Sequence, residues 1–123
     1  MTPTSTLTPT QHCLDILHRL IAFDTTSRNS NLELIDYVKG LLDDQAIPYR
    51  LTYDDEGRKA NLLATLGPSE VPGGYVLSGH TDVVPVDGQD WHTDPFGLTE
   101  IGGKLYGRGT TDMKSFVAVV LAS

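Results

Sequence analysis

The strongest constraint lies between Tyr75 and Lys114. An apolar run, Tyr75-Val76-Leu77, leads through Ser78-Gly79 into His80-Thr81-Asp82, and thirty residues after Asp82 the chain reaches Asp112-Met113-Lys114. A short apolar run bounded by glycine predicts a buried strand. If that strand continues, His80 and Asp82, at i and i+2, leave on the same face. A carboxylate placed there can accept the second imidazole N–H, fix the tautomer and raise the basicity of the other nitrogen, so His80-x-Asp82 reads as a metal ligand with its orienting partner. Asp112 follows a glycine-rich turn and precedes a helical pattern, where a carboxylate can bind one metal or bridge two. Each residue alone also has a plainer reading: a hydrogen-bonded structural histidine, and an aspartate capping a helix. Their combination at the end of a strand favours a site, because open α/β sheets carry their sites beyond the carboxyl ends of strands.

The remaining chain supplies elements for such a sheet. Thr8-Pro9 with Gln11 reads as a capping box opening a first helix, and Cys13, Leu14, Leu17, Leu20 and Ile21 recur at helical spacing. His12 and His18 fall on or near its exposed side. Asp24 to Asn31 is a polar loop. Ser30 with Glu33 forms a second capping box before Leu34, Ile35, Val38, Leu41 and Leu42, and Pro48 bars extension of that helix. Residues 49–53 and 61–66 read as strands, joined by a charged turn at Asp54–Arg58 whose acids lack calcium-loop spacing. Residues 67–74 form a Pro- and Gly-rich loop. Residues 83–96 make a long excursion packed by Trp91. Gly102-Gly103 between residues 98–101 and 104–106 is a hairpin signal that returns Asp112 towards His80. Met113 to Ser123 reads as a helix without a stop signal.

Composition bounds the function. The net charge of −7 argues against nucleic acid, which requires clustered Lys and Arg. Cys13, the single cysteine, permits no internal disulfide and suits a reducing cytosol. No apolar run is long enough to span a membrane, and residues 1–9 read as a disordered lead. Gly107-x-Gly109-x-x-Asp112 lacks the third glycine of a dinucleotide fingerprint. Arg108 is expected to pair with a nearby carboxylate. His92 follows no strand and is set aside as a ligand.

The run Ser78–Pro85, with Trp91, Asp94-Pro95-Phe96, Gly103–Gly109 and Asp112-Met113-Lys114, resembles the co-catalytic zinc amidohydrolases. The resemblance implies that His80 and Asp112 are metal ligands, with Asp112 bridging two Zn²⁺ ions (Co²⁺ being an alternative) and its bond to Met113 typically cis. It implies that Asp82, which orients His80, carries the catalytic assignment within this chain. Ser115 stands where the family usually has glycine. The implied fold is α/β: three layers, helices on both faces of a mostly parallel sheet with an antiparallel hairpin. Residues 10–123 would form the amino-terminal part of a truncated catalytic domain. The general-base glutamate, the other ligands and the lid or dimerisation domain would lie outside the chain, so the chain itself is expected to be inactive. The implied reaction is hydrolysis of an N-acyl amino acid. Phe23–Asn31 and Phe96–Glu100 most resemble the branch that converts N-acetylornithine to ornithine and acetate in arginine biosynthesis. Succinyl-diaminopimelate desuccinylases and other acyl-amino-acid hydrolases or carboxypeptidases are the alternatives, and a non-catalytic interaction fragment is a further one. The partner is a small molecule, without nucleic acid or membrane. A cytoplasmic location and a homodimer through the absent domain are expected for the whole protein.

Overall fold

The computed structural model describes residues 8–123; the lead expected over residues 1–9 lies, up to residue 7, outside the described residues. Among the described residues three helices and two small antiparallel sheets follow in the order α1 (Gln11–Ala22), α2 (Leu32–Asp44), β1 (Tyr49–Tyr53), β2 (Ala60–Ala64), β3 (Thr99–Ile101), β4 (Lys104–Tyr106) and α3 (Lys114–Ala122).

Helix α1 begins later than the Thr8 box predicts. Thr10 is its cap: its backbone is extended and its hydroxyl accepts from the Cys13 amide at 3.1 Å. The Thr10 side chain reaches the N3 amide directly, which leaves Pro9 before the cap. Ile16, Leu17, Leu20 and Ile21 are at most 3% exposed. Each such burial is worth about 1.5–3 kcal/mol, enough to hold a helix whose 12 residues would be marginal in isolation. Cys13 is buried on the same face, as its position predicts.

Helix α2 also departs from its expected box. Asn31 occupies the cap, but its side chain makes no bond to the helix. Its amide instead pairs with both backbone groups of Ala60, at 2.9 Å each, so a side chain acts as a one-residue strand against the start of β2. Ser30 Oγ accepts from Leu32 N at 3.1 Å and donates to Arg58 O. Leu34, Ile35, Val38 and Leu42 join the α1 face and Ala118 of α3 in one core; α1 packs on α3 and α2 on β2.

Strands β1 and β2 pair antiparallel, Tyr49 opposite Ala64 through Tyr53 opposite Ala60. Asp54 Oδ1 closes their turn by accepting from the amides of Arg58 and Lys59. Strands β3 and β4 form the hairpin expected at Gly102-Gly103, whose φ values of +60° and +77° favour glycine.

The mostly parallel three-layer sheet is not formed among the described residues. Residues 75–78 pair with no strand, and Tyr75, Val76 and Leu77 are 99%, 85% and 64% exposed. The physical reason lies in the connections. A parallel neighbour for β2 needs a crossover, usually helical, and residues 65–74 contain no helix. The other two strands are committed to their own hairpin. The described parallel pairing is a single bridge, Thr26 to Val83.

Candidate metal centre

That bridge belongs to a short seam that positions His80. Val83 N donates to Thr25 O and Ser27 N to Val83 O, both at 3.0 Å. The Thr25 hydroxyl donates to Thr81 O at 2.6 Å. Asp24 Oδ1 shapes the loop by accepting from Thr26 N at 3.1 Å and the Thr26 hydroxyl at 2.6 Å. Burial raises the pKa of Asp24, but these bonds, with Asn29 and Arg28, outweigh it and the carboxyl sits below its ordinary value. Thr25 and Thr26 are buried although the stretch reads as a polar loop. Nothing local in the sequence signals bonds that span 56 residues.

The other limb is the corner before α3. The Asp112–Met113 peptide is cis, the form typical of the resembling family. Lys114 N donates to Gly109 O at 2.8 Å. The Ser115 hydroxyl donates to Thr110 O at 2.5 Å, so serine is accommodated where the family usually has glycine. Gly79 leaves room for α3: a Cβ there would lie 3.2 Å from Phe116 Cδ1 and 3.3 Å from Met113 Cε.

The two limbs bring His80 and Asp112 together. His80 Nε2 lies 2.9 Å from Asp112 Oδ1. On the far side of the ring, Nδ1 lies 3.0 Å from both the backbone carbonyl and a carboxylate oxygen of Asp82. Both ring nitrogens therefore face acceptors. Neutral imidazole has one N–H and can satisfy one side, so the other contact needs a second positive centre, a proton or a metal cation. Burial lowers the His80 pKa, but the bonds to Asp82 and Asp112 and their two charges prevail, and the net direction is upwards.

The donor set fits a divalent cation in kind and spacing. With metal–ligand bonds of about 2.0–2.2 Å, two tetrahedral ligands lie about 3.3 Å apart, so the observed 2.9 Å contact would open by only a few tenths of an ångström. It does not fit in number: among the described residues no group of three or more His, Cys, Asp or Glu side chains could hold a metal ion. The site opens on a groove of about 640 Å³ lined by His80, Asp82, β2, α2 and α3.

Arg108 does not pair with a carboxylate. Its guanidinium donates to Gln89 Oε1 and lies 5.1 Å over the Trp91 ring, while the Trp91 indole donates to the same oxygen at 2.9 Å. The amide oxygen meets both donors and the aromatic face covers the cation, which makes Trp91 the loop anchor its position suggested. Among the described residues no helix is long and apolar enough to cross a membrane.

Comparison with known proteins agrees with the sequence resemblance. Residues 76–123 match the profile described as Peptidase family M20/M25/M40. The chain is 46% identical over 101 residues to an acetylornithine deacetylase of Proteus mirabilis (strain HI4320), covering 81% of this chain and 26% of that protein. An acetylornithine deacetylase of Pasteurella multocida (strain Pm70) is 59% identical over 63 residues, covering 51% and 16% respectively. One of Yersinia pestis is 43% identical over 104 residues, covering 81% and 27%. The chain thus spans about a quarter or less of the length of these curated relatives. The resemblance read from its motifs is shown: this chain is similar to a part of the acetylornithine deacetylases.

Proposed function

From that similarity to Peptidase family M20/M25/M40, we propose that the chain contributes two ligands of a zinc amidohydrolase centre whose whole protein hydrolyses an N-acyl amino acid, N-acetylornithine first among them. The observation carrying this reading is the doubly faced imidazole, with acceptors 3.0 Å from Nδ1 and 2.9 Å from Nε2. Asp82 takes the Nδ1–H and so turns the Nε2 lone pair towards Asp112, where a cation relieves the opposition of two acceptors. Asp112 would hold such a cation through its carboxylate, and the family resemblance implies that this carboxylate would be shared with a second. A pair of bound Zn²⁺ ions would supply Lewis acidity at the acyl carbonyl and acidify a water molecule near neutral pH. His80 and Asp112 would hold the ions, and Asp82 would hold the proton on Nδ1. Since two ligands fall short of the four a stable zinc site wants, the chain alone holds metal weakly and does not turn over substrate.

Two experiments test this. Co²⁺ added to the chain should bind weakly, with an absorption spectrum lost in both His80→Ala and Asp112→Ala; nanomolar binding, or binding indifferent to both changes, refutes the ligand assignment. For the reaction, a chimera carries this chain in place of the matching 101 residues of the Proteus mirabilis protein. It should release acetate from N-acetylornithine and lose that activity on His80→Ala; a folded, metal-loaded chimera inert towards N-acyl amino acids sinks the proposed reaction.

A further inference from the structure

Side-chain exposure at His80 is 49% and at Asp112 77%, so their mutual contact is a weak, solvent-screened one. Such a pair does not set its own separation; buried parts of the fold must. Lys114 is 0% exposed, and its ammonium donates to Leu20 O at 2.7 Å and Phe23 O at 2.8 Å. These carbonyls close the carboxyl-terminal end of α1, where helix acceptors lack intrahelical partners and the helix dipole is negative. A charged donor on a buried acceptor makes a strong bond. The lysine stem passes Gly109 so closely that a Cβ there would lie 3.1 Å from Lys114 Cδ and 3.1 Å from Val83 Cγ1. The Asp112 limb is thereby tied to Leu20 and Phe23. The residues that come next in the chain hold the other limb, through the Thr25 hydroxyl on Thr81 O at 2.6 Å and the Val83 amide on Thr25 O at 3.0 Å. Both limbs are referenced to one stretch, Leu20–Thr26.

We propose that Lys114 and Thr25 are positioning residues that set the His80–Asp112 separation by clamping the two limbs of the site to the end of α1. As a statement about a metal centre this rests on the ligand reading above; as a statement about side-chain geometry it stands without metal.

The test uses the whole chain, metal-free and at one fixed pH. The imidazole nitrogen NMR signal of His80 is compared with and without Asp112→Asn, in the wild type and in Lys114→Met, Thr25→Val and Leu17→Ala backgrounds. Asp112→Asn should move the wild-type signal. That response should fall about twofold or more in Lys114→Met and Thr25→Val, and persist in Leu17→Ala, which loosens the same core but removes none of these hydrogen bonds. Lys114→Cys in a Cys13→Ser background, aminoethylated in denaturant and refolded, restores an ammonium of the same reach and should restore the response. A wild-type signal indifferent to Asp112→Asn, a full response in Lys114→Met and Thr25→Val, or an equal loss in Leu17→Ala overturns the proposal. If Lys114→Met does not fold, Thr25→Val and the aminoethylated chain decide by the same criteria. Co²⁺ titration of these variants keeps the two ideas apart: no Co²⁺ response in any chain removes the ligand reading and leaves the imidazole result standing.

Discussion

Burying the Lys114 ammonium has a measurable cost, and pH is the way to read it. Desolvation pushes its pKa down from 10.5 to about 8, with the charge of Asp24 pulling the other way. The unfolded chain keeps the ordinary value. Between about 8 and 10.5 the folded chain has therefore released a proton that the unfolded chain still holds, and stability rises with pH across that window. The gap corresponds to about 3 kcal/mol, a large part of a small domain's stability. Lys114→Met removes the titration and keeps an unbranched stem. Its effect at neutral pH has no fixed sign, because it deletes a buried charge but strands the Leu20 carbonyl at about 1–3 kcal/mol, while Phe23 O keeps the Thr25 amide. The pH slope is therefore the quantity to measure. Urea unfolding of both chains across this range gives the difference between wild type and Lys114→Met, in which the tyrosines and the other lysines cancel. That difference should climb towards the wild type by about 3 kcal/mol from pH 8 to pH 10.5. A flat difference would show that the ammonium is solvated, and a falling one that its bonds to Leu20 and Phe23 outweigh burial; either refutes the reasoning.

Three further outcomes follow from the same geometry. Asp82→Asn should weaken metal affinity about 10- to 100-fold with the fold intact, as measured by Co²⁺ titration, because a neutral amide no longer raises the basicity of His80, although the backbone carbonyl still faces Nδ1. Gly109→Ala should destabilise by about 2 kcal/mol or more in urea unfolding, since φ there is +102° and the new methyl meets Lys114 and Val83. The His80 pKa is raised from 6.5, so in the metal-free chain its contacts with Asp82 and Asp112 stabilise fully below pH 6.5 and fade as pH rises through the raised value. His80→Gln should remove that dependence, which thermal unfolding at a series of pH values will show.

What the sequence reveals here depends on how local each cause is. The apolar faces of α1 and α2, the β1 and β2 runs and the Gly102-Gly103 hairpin rest on periodicity and backbone freedom within a few residues, and all are legible. His80, Asp82 and Asp112 are legible as a group because their spacing repeats a family motif, although metal chemistry is not something spacing alone establishes. The failures are non-local. Tyr75-Val76-Leu77 has the composition of a buried strand, but burial is a property of neighbours, and no strand among the described residues runs beside it. Lys114 looks like a surface lysine at the start of an apolar helix, yet its surroundings come from the end of α1, 94 residues away for Leu20. Thr25 reads as a polar loop residue because its partner, Thr81, is equally invisible from its own neighbourhood. His80 and Asp112 meet at the surface, while Lys114 and Thr25, which fall within the resembling stretches without being ligands, are buried. A chain could therefore keep His80, Asp82 and Asp112 and still lose the site through a change at Lys114 or Thr25. For this fold the buried frame decides whether His80 and Asp112 stand at the separation that a shared ion would need.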